Sequence, residues 1–146
     1  MDTSAFVAVQ DRSDEKHEQA VKFWREASRL SVAVYTSNFV FDETYTMLLR
    51  RVSRAAAINF GDAVEASNAI QMIYVDESVH ALAWQIATKY RDKSFSFTDC
   101  TSFAIMSELK VSHAFCFDVH FEQYGGLEVV PSGDTLLNTS PQPGIK

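Results

Sequence analysis

Cysteine, glycine and proline are all scarce in this chain of 146 residues, with 2, 5 and 3 copies. Cys100 and Cys116 form no CxxC or zinc-knuckle spacing, so a disulfide framework is excluded and a reducing, cytoplasmic setting is expected. No apolar run approaches the roughly 18 residues that span a bilayer, and no membrane partner is expected. Met1-Asp2-Thr3-Ser4 carries no basic region before its short apolar stretch, unlike a secretory leader. Basic residues are outnumbered, 13 Lys+Arg against 19 Asp+Glu for a net charge of −6. That balance excludes a protein coating phosphate backbones by charge alone. It leaves room for one whose carboxylates are neutralised locally by metal ions. There is no GxSxG elbow, Walker A loop or GxGxxG turn. A receiver-type phospho-acceptor wants an acidic pair after its first strand, and here Asp2 is followed by Thr3.

What is abundant is apolar surface. The hydrophobic fraction is 47% against 22% charged, with 11 phenylalanines, enough for a core without disulfide or structural metal. No repeat or linker divides the chain. The reading is one domain over residues 1–131, then a Pro/Gly/Ser-rich tail, 132–146, expected to be disordered.

Helical and strand periods alternate. Asp14 is placed to cap a helix with Ala20, Val21, Trp24 and Ala27 on one face. Ser31 to Thr36 reads as a strand, and Ser37 caps a long helix carrying Phe39, Val40, Met47 and Leu48. Ser53 opens a third helix to about Ser67, and Ile70 to Val75 is the next strand. Asp76 caps a helix with Val79, Leu82, Ala83, Ile86 and Tyr90, and Thr98 caps another to about Leu109. Ala114 to Phe117 and Leu127 to Val130 are the last strands. This βα alternation predicts an α/β fold, a mostly parallel sheet with helices on both faces.

Ligands of open parallel sheets bind beyond the carboxyl ends of the strands. Four acids map to that edge: Asp118 after a strand, Asp99 in a first helical turn, Glu43 two turns into its helix, and Asp2 before Ala5–Val9. Glu43 shares a stripe with Phe39, Val40 and Met47, where a carboxylate is costly unless paired, metal-bound or snorkelling to water. Asp99 also suits the helix macrodipole, and Asp118 a turn or short-helix cap. Clustered carboxylates repel unless cations hold them, and hard divalent ions such as Mg²⁺ or Mn²⁺ suit oxygen ligands. Glu43, Asp99 and Asp118 are expected to converge within metal-bridging reach.

Three further features have two readings each. Arg50, Arg51 and Arg54 either complement a helix end or guide phosphate. His120 either orders the loop beside Asp118 or contacts a substrate. Cys116, Asp118 and His120 make an incomplete zinc set. His17, His80 and His113 read as surface or satisfied residues.

Tyr35-Thr36-Ser37-Asn38-Phe39-Val40-Phe41-Asp42-Glu43-Thr44 resembles the second-carboxylate motif of PIN domains. Ser96-Phe97-Thr98-Asp99-Cys100-Thr101-Ser102-Phe103-Ala104 resembles the third. Phe117-Asp118-Val119-His120-Phe121-Glu122-Gln123-Tyr124-Gly125 resembles the closing motif, and Asp2-Thr3-Ser4 the opening one. Order and spacing agree over residues 2 to about 130, and the compact size resembles toxin ribonucleases of the VapC type. The resemblance implies a PIN-like three-layer α/β/α sandwich and a metal-dependent endoribonuclease toxin. Asp2, Glu43, Asp99 and Asp118 would hold the metal, with no histidine required near Asp99. It implies an RNA substrate, a small cognate antitoxin and a homodimer. Phe39, Met47 and Phe60 would offer a helix-binding groove. The alternative is a catalytically weak PIN-fold module that binds RNA or a protein.

Two departures stand out. Cys116 occupies the place of a usual Thr or Ser, and only Met1 precedes the first carboxylate. Because the first strand of a doubly wound sheet is usually central, the natural reading frame is expected to begin upstream of Met1. The alternative is that Ala5–Val9 is itself that strand.

Overall fold

A computed structural model describes residues 1–132. The expected tail, 132–146, lies beyond Ser132 outside the described residues.

The elements are α1 (Thr3–Gln10), α2 (His17–Arg29), β1 (Val34–Ser37), α3 (Asn38–Arg51), α4 (Arg54–Glu65), β2 (Ile70–Ile73), α5 (Glu77–Lys89), α6 (Phe97–Leu109), β3 (His113–Phe115), α7 (Val119–Tyr124) and β4 (Glu128–Val130). Several helix starts follow from their caps. Ser37 accepts from the Val40 amide, Ser53 from Ala56 and Asp76 from Val79, each meeting an amide the first helical turn leaves unpaired. Asp118 caps α7 in the same way through the His120 amide.

β1 pairs in parallel with β2, Val34 opposite Ile70, and β3 in parallel with β4, Ala114 opposite Val129. Strand side chains alternate between faces, and here the alternation sorts the core. Ile70 and Met72 pack with Val40, Leu48 and Phe60. Phe115 and Val130 pack with Ala20, Phe23 and Ala27. On the other face Ile73, Val75, Ala114, Cys116 and Val129 pack with Val79, Ala83, Phe103 and Phe121. Helices therefore cover both faces, the three-layer α/β/α arrangement expected.

The expected single sheet is split in two, β1–β2 and β3–β4. Backbone hydrogen bonds from Met1 and Asp2 link the halves. The Met1 ammonium donates to the Tyr35 carbonyl at 2.7 Å and the Asp2 amide to the Phe115 carbonyl at 3.0 Å.

Ala5–Val9 is helical, so it is not the central strand. Asp2 caps α1 through the Ser4 amide, and the helix is a wedge buried on two sides. Ala5 and Ala8 meet α2, while Phe6 and Val7 meet α3 and α4. An apolar run buried on both sides shows no helical period, hence its strand-like reading.

Other boundaries shift. Asp14 caps no helix, since α2 begins at His17, and α2 buries Phe23 rather than Val21. α6 is capped by Ser96, not Thr98. Phe60, expected to line an open groove, is buried against Phe6 and Phe41.

Candidate active site

Ser96 and Asp99 form a reciprocal capping box. The Asp99 amide donates to Ser96 Oγ at 3.0 Å, and the Ser96 amide donates to Asp99 Oδ2 at 2.8 Å. This pairing locks the Asp99 side chain while leaving the carboxylate at the mouth of α6. Asp118 is held as the cap of α7 just past β3, its Oδ1 accepting from the His120 amide at 2.9 Å. Both acids thus stand at helix starts, Asp99 in the first turn of α6 and Asp118 at the cap of α7.

His120 completes the group. Its Nδ1 lies 2.9 Å from Asp99 Oδ2 and 3.5 Å from Asp118 Oδ1. Its Nε2 faces Ser94 Oγ at 3.3 Å, and the ring packs edge-on against Phe95. Donor atoms of Asp99, Asp118 and His120 all lie within 4.8 Å of one another. A histidine therefore stands beside Asp99, where the family resemblance required none. The available signal was the Asp-x-His spacing at a helix start: a cap and the residue two later share one end of a turn.

Asp2 is buried beside this group. Its Oδ2 accepts from the Ser4 amide at 3.1 Å and Ser4 Oγ at 2.8 Å, and Ser4 Oγ accepts from the Phe117 amide at 2.9 Å. Burial raises the Asp2 carboxyl above its ordinary 3.8; bonds from Ser4 and the Thr3 backbone oppose this, and the charge of Asp99 adds to the rise.

Glu43 is half-buried on α3 and lies outside the 4.8 Å group. Thr3 Oγ1 donates to Glu43 Oε2 at 2.6 Å, tying it to the residue next to Asp2. The fully buried Thr44 hydroxyl, one residue further on, has no hydrogen-bond partner among the described residues.

Arg50 and Arg51 in the last turn of α3 and Arg54 at the start of α4 are exposed. Seven residues of helix separate Arg50 from Glu43, about 10 Å at 1.5 Å per residue. Cys116 Sγ faces the Asp118 carbonyl at 3.9 Å. Burial, with Asp2 adding, pushes this thiol up to about 12, and the cluster of possible metal-holding side chains among the described residues is Asp99, Asp118 and His120, without Cys116. His17 bonds the Ala8 carbonyl, His80 packs on Phe97 and His113 faces Glu128, all outside the acidic group.

The sequence profile described as PIN domain matches residues 1–127. The chain is 34% identical over 131 residues to the 23S rRNA-specific endonuclease VapC20 of Mycobacterium tuberculosis strain H37Rv, a match covering 90% of this chain and 97% of that protein. The identically named protein of strain CDC 1551 matches to the same extent. The crystal structure of Mycobacterium tuberculosis VapC20, titled a sarcin-ricin loop cleaving toxin, is similar with a TM-score of 0.80 at 34% identity. That likeness covers 88% of this chain and 95% of the other.

Proposed function

Because the chain belongs to the PIN-domain family, we propose that it is a metal-dependent endoribonuclease toxin, cutting RNA phosphodiester bonds at the Asp99–Asp118–His120 centre. The observation that carries this reading is the meeting of donor atoms from those residues within 4.8 Å, beside a buried Asp2.

The donor set fits a hard divalent cation. Asp99 and Asp118 offer carboxylate oxygens to one point, the buried Asp2 adds a third carboxylate, and Glu43 is tethered to Thr3, the residue after Asp2. Mg²⁺ or Mn²⁺ tolerates such oxygen-rich sites, keeping water in its remaining positions. When bound, the ion supplies activation of water and neutralisation of charge on the phosphate undergoing in-line displacement.

The chain's own residues prepare that centre. Ser96 and Ser4 fix the carboxylates of Asp99 and Asp2, so little reorganisation is needed when RNA arrives. His120 bridges Asp99 and Asp118 and sets their relative orientation. Thr3 keeps Glu43 turned toward the same edge. Arg50, Arg51 and Arg54 hold the RNA backbone at a distance from the cut, positioning it without reading sequence.

Partner and setting follow the family. The exposed Leu49, Val52 and Ile58 at the α3–α4 turn offer an apolar patch to a helix of a small cognate antitoxin. Trp84, 61% exposed on α5, suits a homodimer contact. Among the described residues no helix is long and apolar enough to cross a membrane; the proposed setting is the cytoplasm.

Sequencing RNA 5′ ends after induced expression tests the activity. One recurrent new end, lost with Asp99→Asn and suppressed by the co-expressed antitoxin, is expected; the large ribosomal RNA is the first place to look, as VapC20 is named for it. Unchanged RNA ends at full expression would leave the alternative, a PIN-fold module that only binds.

A further inference from the structure

The chain is acidic overall, with 19 Asp+Glu against 13 Lys+Arg, yet two short stretches run the other way. One holds Arg50, Arg51 and Arg54 at the turn between α3 and α4. The other, Lys89-Tyr90-Arg91-Asp92-Lys93, lies at the end of α5 and carries three cations against the single acid Asp92.

The second stretch leads straight into the acidic centre. Each of the next three residues touches it. Ser94 Oγ lies 3.3 Å from His120 Nε2, the Phe95 ring packs edge-on against His120, and the Ser96 amide donates to Asp99 Oδ2 at 2.8 Å. Lys93 is the residue just before these contacts begin, and Arg91 stands two before Lys93.

Residues 90–96 join α5 to α6 outside either helix. Such connections are ordinarily the more mobile part of a surface, but this one is pinned. Tyr90 packs on Phe95 and on Tyr124 with ring centroids 5.7 and 5.4 Å apart, and Phe95 packs in turn on the buried Phe103. The Lys93 amide closes a turn onto the Tyr90 carbonyl at 3.1 Å. With the rings drawn inward, Arg91, Asp92, Lys93 and Ser94 are left exposed. Neither Arg91 nor Lys93 is committed to a buried ion pair. Arg91 Nε donates to the neutral Thr88 carbonyl at 3.1 Å, and Lys93 Nζ lies 3.5 Å from Asp92 Oδ2 in a pair open to water, which holds it weakly. Lys89 differs: it stands in the last turn of α5 over the Tyr90 ring and complements the helix end.

We propose that the α5–α6 loop is the lip on which the RNA strand is laid for cutting, with Arg91 and Lys93 binding the phosphates next to the one that is cleaved. This rests on the reading of the chain as an RNA-cleaving enzyme. An anionic strand approaching clustered carboxylates is repelled by them. At the scissile phosphate that repulsion is offset by the cation the centre takes up, but the neighbouring phosphates lie outside its coordination. Cations placed just beyond the carboxylates answer the charge of those neighbours. They contact backbone and not base edges, so the lip fixes the position of the strand and leaves sequence choice to other surfaces. Tyr90 and Phe95 hold the loop in place before RNA arrives, which keeps the ordering cost of the contact small. Ser94 and Phe95 fix the lip against His120, so a strand bound there is bound in register with the centre.

Fluorescence anisotropy of a labelled RNA hairpin in EDTA tests the contact apart from the chemistry. Arg91→Ala combined with Lys93→Ala is expected to weaken binding about tenfold and to reduce the slope of log affinity against log salt by about 1.4, roughly 0.7 for each phosphate contact on a single strand. Arg91→Lys combined with Lys93→Arg should restore both, because it keeps the charges while changing the bond to the Thr88 carbonyl. Asp92→Asn should move affinity the other way, tightening it about twofold by freeing Lys93. In Mn²⁺ at saturating RNA, the paired alanine variant should also cleave about tenfold more slowly, since the strand is no longer held in register. Unchanged affinity and slope overturn the proposal, as does a loss that the charge-keeping pair fails to recover, or weaker binding by Asp92→Asn. Weakened binding with an unchanged rate at saturation overturns the placement beside the cut. Absence of cleavage by the unsubstituted chain in Mn²⁺, with binding still carried by Arg91 and Lys93, overturns the enzymatic reading instead and supports the loop as an RNA-binding surface.

Discussion

His120 Nδ1 stands 2.9 Å from Asp99 Oδ2 while Asp118 Oδ1 lies 3.5 Å from the same nitrogen. One imidazole thus spans two acids at the starts of separate helices. Substituting it tests how far this bridge sets the centre. His120→Ala is expected to weaken Mn²⁺ affinity and cleavage by about 10- to 100-fold, the usual cost of removing a group that orients metal ligands. Calorimetric titration of Mn²⁺ checks it, and His120→Asn, which keeps a donor near the Nδ1 position, should recover part of the loss.

Thr3 and Glu43 give a second test. The 2.6 Å bond from Thr3 Oγ1 is the contact that holds the Glu43 carboxylate. Thr3→Val, similar in shape but without the hydroxyl, should lower cleavage about tenfold or more, with little change in RNA binding. Thr3→Ser should retain activity. Single-turnover rates separate the two variants.

Stability should depend on pH through Asp2. Its carboxyl is raised above 3.8 chiefly by burial, so the folded state holds this proton more tightly than the unfolded chain. Its contribution is fully present below pH 3.8 and is lost as pH rises through the raised folded value. Asn caps a helix as well as Asp, so Asp2→Asn should raise the melting temperature of metal-free protein by a few degrees at pH 7. The difference should close toward pH 3.8. Adding Mn²⁺ should reverse the order, because only the carboxylate binds it. Calorimetric scans across pH, with and without the ion, check both signs.

Arg50, Arg51 and Arg54 are exposed, so the part proposed for them in RNA binding is electrostatic. Replacing all three with Ala should weaken binding to unrelated RNAs alike and reduce the slope of log affinity against log salt by about 2, roughly 0.7 per phosphate contact on a single strand. Fluorescence anisotropy at several salt concentrations reads the slope. An unchanged slope would assign them to the helix ends alone.

Much of this arrangement was legible because its signals are local. Ser37, Ser53 and Asp76 cap the helices they were read to cap, each preceding a periodic apolar stretch. Thr98 misled because a hydroxyl just before Asp99 is also a plausible cap; the Ser96-x-x-Asp99 spacing carries the true boundary. Helix α1 was obscure because burial by α2 on one side and α3–α4 on the other erases polar periodicity. Phe60 reads as part of an open face until Phe6 and Phe41, from two other helices, close over it. The acids of the site could be placed on a common edge from topology. Which of them meet, and that His120 joins them, depends on side-chain directions at two loop ends that no periodicity encodes.

The central claim, that Asp99, Asp118 and His120 form a metal-dependent RNA-cleaving centre, meets its most direct test in one assay. Purified protein and Asp99→Asn are incubated with a structured RNA hairpin in Mn²⁺ or EDTA, and the cleavage rate is measured under single-turnover conditions. Asn preserves the capping geometry of α6 while removing the charge, so fold and RNA binding should persist. The account expects cleavage in Mn²⁺ alone, reduced at least about a hundredfold by the substitution. Equal cleavage by both proteins, or cleavage undiminished in EDTA, would contradict it.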